Sequence, residues 1–149
     1  MKVSPVFRVF EYNHFSFHKN LEGVTHQQSI QHLPSYANPI NWVCGHIVIN
    51  RDSMLKLLGQ RQRCSDNYEL YRRGSQIFDD QHAIDIEELL EMYDQSQKIL
   101  KAAFKQLDSR KEEHQKIIYD LAGFAFHEAY HVGQLGMSRR LIGKKGAIQ

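Results

Sequence analysis

Residues 84–107, IDIEELLEMYDQSQKILKAAFKQL, place Ile86, Leu90, Tyr93, Leu100, Phe104 and Leu107 on one face and most of their charges on the other. An apolar stripe that returns every three to four residues over about six turns marks an amphipathic helix, because a strand would alternate with period two. Such a helix cannot hide its stripe alone, so the fold depends on what the rest of the chain offers as cover.

Three further segments offer a matching stripe. From Val6 to about Leu21, the residues Val6, Phe10, Phe17 and Leu21 recur near a 3.6 period with His14 on the same side. A second helix is expected from about Pro39 to Leu58, carrying Val43, Ile47, Met54 and Leu58 inward, with Asn38 as its cap, Pro39 at its first position and Gly59 as its stop. A last helix is expected from about Glu112 to Ile142, ending before Gly143, with its stripe through Ile117, Leu121, Phe124, Leu135 and Ile142.

No segment alternates like a strand. Four amphipathic helices without a sheet bury their stripes against one another, which predicts an all-α four-helix bundle. Residues 22–39 contain Gly23, Pro34 and Pro39 and read as a connection with room for a short helical turn. Residues 60–83 are polar and too long for a tight turn, so they predict a crossover that lets the second and third helices run parallel.

The chain has 149 residues, enough for one domain spanning 1–149 with its own core. A net charge of +2, from 19 Lys and Arg against 17 Asp and Glu, gives no nucleic-acid footprint. No apolar run approaches the ~20 residues that span a bilayer, and a cytoplasmic protein is expected. The two cysteines, Cys44 and Cys64, lack CxxC spacing and are expected to be free thiols.

Nine histidines remain to be placed. His127 and His131 stand four apart on the last helix, so their Cβ atoms lie about 5–6 Å apart on one face, a spacing suited to two ligands of one ion. With Phe124 as the centre of the stripe and ~100° per residue, both look toward the interior or its rim. His46, beside Ile47 on the apolar side of the second helix, can point into the same space. Taken singly, each is more often a hydrogen-bonded core histidine than a ligand.

Two motifs tie these positions together. NPINWVCGHI, residues 38–47, resembles the DinB/YfiT-like segment in which a Trp precedes a ligand histidine by four. HEAYHVGQ, residues 127–134, is similar to that family's second signature, H-x-x-x-H-x-G-Q, and Tyr71-Arg72-Arg73-Gly74 fits its layout between the two. The resemblance spans nearly the whole chain. It implies one divalent metal ion, zinc or nickel, held by His46, His127 and His131. It also implies chemistry such as transfer of a low-molecular-weight thiol to an electrophile. The partner expected is a small molecule rather than nucleic acid or membrane, and a homodimer stays open.

Three neutral imidazoles leave a coordination position free, as in catalytic zinc sites. That leaves two other readings: a hydrolase using metal-bound water, and a non-catalytic metal or small-molecule binder. HEAYH also satisfies the H-E-x-x-H motif of zinc proteases, with Glu128 as base. However, Gln134 and Met137 stand where the extended motif needs Gly and His.

Glu128 and Gln134 are therefore weak catalytic candidates. Glu128 has the competing role of pairing with a neighbouring helix or a dimer partner, and Gln134 that of orienting His131. Trp42, Cys44, His14 and His18 are read as packing residues. Tyr68, Tyr71, Arg72 and Arg73 are read either as solvated loop or as a lid for an anionic substrate.

Overall fold

The computed structural model describes residues 4–74 and 78–148, and among these every regular element is helical. Helix α1 runs Pro5–Leu21, α2 is one short turn at His26–Ser29, α3 runs Ile40–Leu57, α4 Ile86–Phe104 and α5 Glu112–Leu141. Two 3-10 turns, Asp66–Tyr71 and Asp80–His82, lie in the long connection between α3 and α4. None of these helices is long and apolar enough to cross a membrane.

Local chemistry sets the ends. Pro5 occupies the first turn of α1, where its missing N–H costs nothing. Gly23, Gly59 and Gly143 take the left-handed conformation after α1, α3 and α5. Thr25 caps α2 with a reciprocal box to Gln28. The start of α3 differs from expectation. Pro39, not Asn38, is the capping residue; its carbonyl accepts from the Val43 N–H and no side chain caps the helix.

Helix α4 begins two residues later than its apolar pattern implies, because the Asp85 side chain accepts from the Glu87 N–H and fixes the start there. Ile84 is buried but outside the helix: its carbonyl accepts from Asn41 and its N–H donates to the Tyr71 hydroxyl.

Side-chain clamps reveal the helix directions. Asn13 and Asn20 of α1 donate to the carbonyls of Ala125 and Val132 on α5, seven residues apart on each helix, so these two run parallel. Asn41 meets Ile84 near the starts of α3 and α4, and Arg51 meets Tyr93 and Gln97 further along, so this pair is parallel too. That is the arrangement expected of a long crossover. Arg51 also meets Glu128 while His46 lies beside His131, which makes α3 and α5 antiparallel.

The apolar interior is split in two. One cluster gathers Phe17, Ile40, Val43, Ile47, Leu89, Tyr93, Val132 and Leu135. The other gathers Phe7, Phe10, Met54, Leu55, Leu100, Phe104, Leu121 and Ala125. Between them each long helix contributes polar residues: Asn13, Arg51, Gln97 and Glu128.

The stripes shift accordingly. On α1 the buried residue is Asn13 while His14 is half-buried, and on α4 it is Leu89 rather than Leu90. On α5 the buried line runs Leu121, Ala125, Glu128, Val132, Leu135, with Phe124 only half-buried. The centre of that line is thus turned by about 60° from Phe124 at ~100° per residue.

Candidate metal centre

That rotation sets the histidines on the flank of α5 facing α3. His131 is buried, His127 is half-buried at the rim, and His46 of α3 is buried opposite them. The Nε2 atoms of His127 and His131 lie 3.1 Å apart. The His46 ring centroid is 5.3 Å from that of His127 and 4.6 Å from that of His131. One donor nitrogen from each of the three lies within 4.8 Å of the other two.

Hydrogen bonds at the far side of two rings decide which nitrogens are free. The Nδ1–H of His46 donates to the Tyr71 carbonyl at 2.8 Å; a carbonyl can only accept, so Nδ1 carries the proton and Nε2 keeps its lone pair. The Nδ1 of His131 donates in the same way to Gln134 Oε1 at 2.7 Å. Acceptors behind the ligand rings are the arrangement that orients imidazoles toward a metal and raises their basicity as ligands. An ion bonded tetrahedrally to nitrogens at 2.0–2.1 Å needs them about 3.3 Å apart, close to the His127–His131 separation. The donor set therefore fits a divalent ion of borderline softness.

The electrostatics favour the uncharged rings that ligation requires. Burial lowers His131 to about 4, with the neighbouring His46 and His127 acting the same way against the Gln134 hydrogen bond. His46 and His127 are both held below the ordinary imidazole value, by burial first, with Arg73 adding to the effect at each. All three are neutral at pH 7.

The long connection supplies part of the site. Tyr71 is fully buried and packs flat against Gly45, where any Cβ would enter its ring. Its hydroxyl donates to Asn41 Oδ1, and its carbonyl thereby stands behind His46. Of the four residues considered for a lid, Tyr68 and Tyr71 are buried packing residues and Arg72 pairs with Glu69 at the surface. Arg73 alone is exposed with its charge reaching His46 and His127. Trp42 stacks on His46 at 4.8 Å and 9°, which stops the imidazole from tilting.

Glu128 faces away from this chemistry. Its two oxygens accept from Arg51 Nε at 2.6 Å and Nη2 at 2.8 Å, and the Tyr93 hydroxyl donates to it at 3.1 Å. Of the pairings considered for it, the one formed is with a neighbouring helix. Cys44 is buried and free, and burial pushes its thiol above the ordinary range.

Beside His127 an open groove of about 870 Å³ runs between α3 and α5, lined by Asn50, Ser53, Lys56, Asp120 and Phe124. Arg51, Tyr93 and Lys56 went unremarked in the sequence as parts of this region. Arg51 was nonetheless visible there, four residues after Ile47 and three before Met54 on an apolar stripe.

No protein-family model, curated protein or solved structure matches the chain.

Proposed function

We propose that this chain is a metal-dependent enzyme of the DinB-like, four-helix-bundle kind that transfers a low-molecular-weight thiol to an electrophile at a site built from His46, His127 and His131. The observation that carries the reading is the convergence of three neutral imidazoles from α3 and α5, two of them with a carbonyl oxygen fixing the outer nitrogen. Acceptors alone would also serve buried structural histidines; what favours a metal is that they leave the inner nitrogens of His46 and His131 free and converging with His127, with an open groove alongside.

A bound divalent ion supplies positive charge that lowers the pKa of a thiol entering the free position. The chain's residues do the remainder. The rings of His46 and His131 are held by Tyr71 and Gln134, Trp42 covers His46, and the groove beside His127 receives the reactants. Lys56 shares that groove with Asp120, and Arg73 on the connection adds a cation acting on His127, a net positive surrounding that suits a carboxylate-bearing thiol or electrophile. The thiolate sulfur forms a bond to the electrophilic carbon, the leaving group departs with its bonding pair, and the thiol proton passes to solvent.

The free thiols Cys44 and Cys64 favour a reducing, cytoplasmic setting for this activity. The test uses protein reconstituted with zinc or nickel and offered thiol-plus-electrophile pairs alongside esters and amides. Thioether formation that disappears in His127→Ala supports transfer. Turnover of esters or amides alone replaces it with hydrolysis, and no turnover with any substrate leaves a binding module.

A further inference from the structure

On the other side of the molecule α1 and α4 bring together a second group of donors that the three-histidine site does not use. His14 and His18 stand four residues apart on one face of α1, and Asp94 of α4 reaches between them. Asp94 Oδ1 lies 2.8 Å from His14 Nε2 and 2.7 Å from His18 Nε2. Both imidazoles thus aim the same ring nitrogen at a single carboxylate oxygen. One donor atom from each of the three residues lies within 4.8 Å of the others.

The rings are held in that attitude. His14 stacks on Tyr93 at 5.4 Å and 17°, and His18 meets Phe17 edge-on at 5.8 Å. The side chains of His14, His18 and Asp94 are 31%, 38% and 42% exposed, so an ion can reach them from solvent. A cleft of about 780 Å³ opens over both histidines, with Glu87 and Lys19 on its walls.

We propose that His14, His18 and Asp94 form a second divalent-cation site, a two-histidine, one-carboxylate triad that takes a first-row transition ion such as iron(II), cobalt(II) or zinc and leaves its remaining positions to water or a small ligand from the cleft. Two imidazoles and one carboxylate on one face are the donor set that suits such ions and keeps open positions. Octahedral coordination at 2.1 Å needs neighbouring donors about 3.0 Å apart and tetrahedral coordination about 3.3 Å. The Asp94 carboxylate only accepts, so each Nε2 carries a proton in the free protein; an ion takes the place of those protons, each ring keeping its proton on Nδ1 instead, and the 2.7 and 2.8 Å contacts open by a few tenths of an ångström.

The electrostatics agree with the geometry. Burial lowers His14, which favours the neutral ring. Asp94 is held below the usual carboxylate value although burial acts the other way, because His18 and His14 both hydrogen-bond to it. The carboxylate makes this donor set one unit more negative than the three-histidine group, so the two sites differ in preference as well as place.

The test is metal stoichiometry of the full-length chain by calorimetric titration and elemental analysis, with zinc and cobalt(II) as probes. The comparison is between wild type, the pair His14→Gln and His18→Gln, the single Asp94→Asn, and the triple alanine variant of His46, His127 and His131. The expected result is one equivalent lost in the His14/His18 pair and retained in the triple variant, with at least tenfold weaker binding of that equivalent in Asp94→Asn. This readout depends on the second site alone, whatever the three histidines do. Stoichiometry and affinity that are the same in the pair as in wild type overturn the proposal. Should the pair fold poorly by circular dichroism, cobalt(II) added to the triple variant must shift and broaden the ring proton signals of His14 and His18. Unshifted signals overturn it equally.

Discussion

Replacing Glu128 by Gln removes one charge from a pair that is almost completely sealed: Arg51 is 0% exposed and Glu128 2%. Burial alone would drive Arg51 toward losing its proton, but Glu128 and Tyr93 together raise it above the ordinary guanidinium value. The variant therefore keeps a buried cation without its counter-ion, and turns an amide N–H toward a guanidinium that can only donate. Breaking such a pair costs about 3–5 kcal/mol. At roughly 2–4 °C per kcal/mol for a chain of this size, the midpoint of thermal unfolding drops by about 6–20 °C. Denaturation in urea, followed by circular dichroism, gives the same quantity independently. The double replacement Arg51→Met with Glu128→Leu, which removes both charges, recovers at least 2 kcal/mol relative to the sum of the singles by this argument. A Glu128→Gln protein within about 1 kcal/mol of wild type, or a double variant that is merely additive, would refute the reasoning. The thiol transfer proposed for the site should, if present in wild type, persist at a temperature where the variant is folded, because the carboxylate is bonded to Arg51 and Tyr93 and not to the histidines.

Gln134→Leu removes the acceptor behind His131 and should weaken zinc binding by about 10–100-fold without unfolding the chain, read by competition with a chromogenic chelator. Gly45→Ala forces a methyl group into the Tyr71 ring, so it should lower stability by about 1–3 kcal/mol and weaken metal binding with it, because the carbonyl behind His46 moves. Because all three rings are held below the ordinary imidazole value, His131 at about 4, metal affinity should be near its full value at pH 7 and fall as the pH drops from about 6.5 toward 4. Affinity lost already at pH 6.5 would mean the site is more open than this. The metal-free protein should lose stability as the pH falls from about 6.5 toward 4, because the unfolded imidazoles gain protons near 6.5 while folded His131 resists until about 4 and His46 and His127 are lowered in the same direction. Thermal melts at pH 7.5, 6 and 5 test it.

The helices were legible wherever a stripe and a terminator coincide, as with α3 ending before Gly59 and α5 before Gly143. Misplacement came from taking the largest side chains as the deepest. On α5 Phe124 looks like the centre of a stripe, yet Phe126 and Tyr130 are exposed while the interior is filled by Ala125, Val132 and the charged Glu128. A hydrophobicity reading discards Glu128 because it cannot see the Arg51 that neutralises it. The sequence does contain both halves, one charge of each sign on an apolar stripe. Which of them meet is a matter of tertiary register, and that no local period encodes. The three histidines were found by spacing and by resemblance. The Tyr71 carbonyl could not be, since a backbone atom at the end of a long connection has no signature in the side-chain pattern.

The Arg51–Glu128–Tyr93 layer also bears on why both histidine groups can exist in so small a domain. Apolar packing alone would let α3 and α5 slide past each other in steps of a turn, and each step would separate His46 from His127 and His131. A bidentate guanidinium–carboxylate contact accepts one register, because its two parallel hydrogen bonds fail on displacement of an ångström or so. Tyr93 extends the constraint. Its hydroxyl joins the clasp while its ring stacks on His14, so the same contact that fixes α3 against α5 also positions α4 against α1. A Tyr93→Phe variant, which keeps the ring and removes the hydroxyl, separates these roles. It should leave the stack on His14 intact, cost about 1 kcal/mol for the lost hydrogen bonds, and preserve metal binding by the three histidines. Tyr93→Ala should disturb the α1–α4 side first, and loss of cobalt(II) binding at His46, His127 and His131 before any change at His14 and His18 would show that the layer does not work this way.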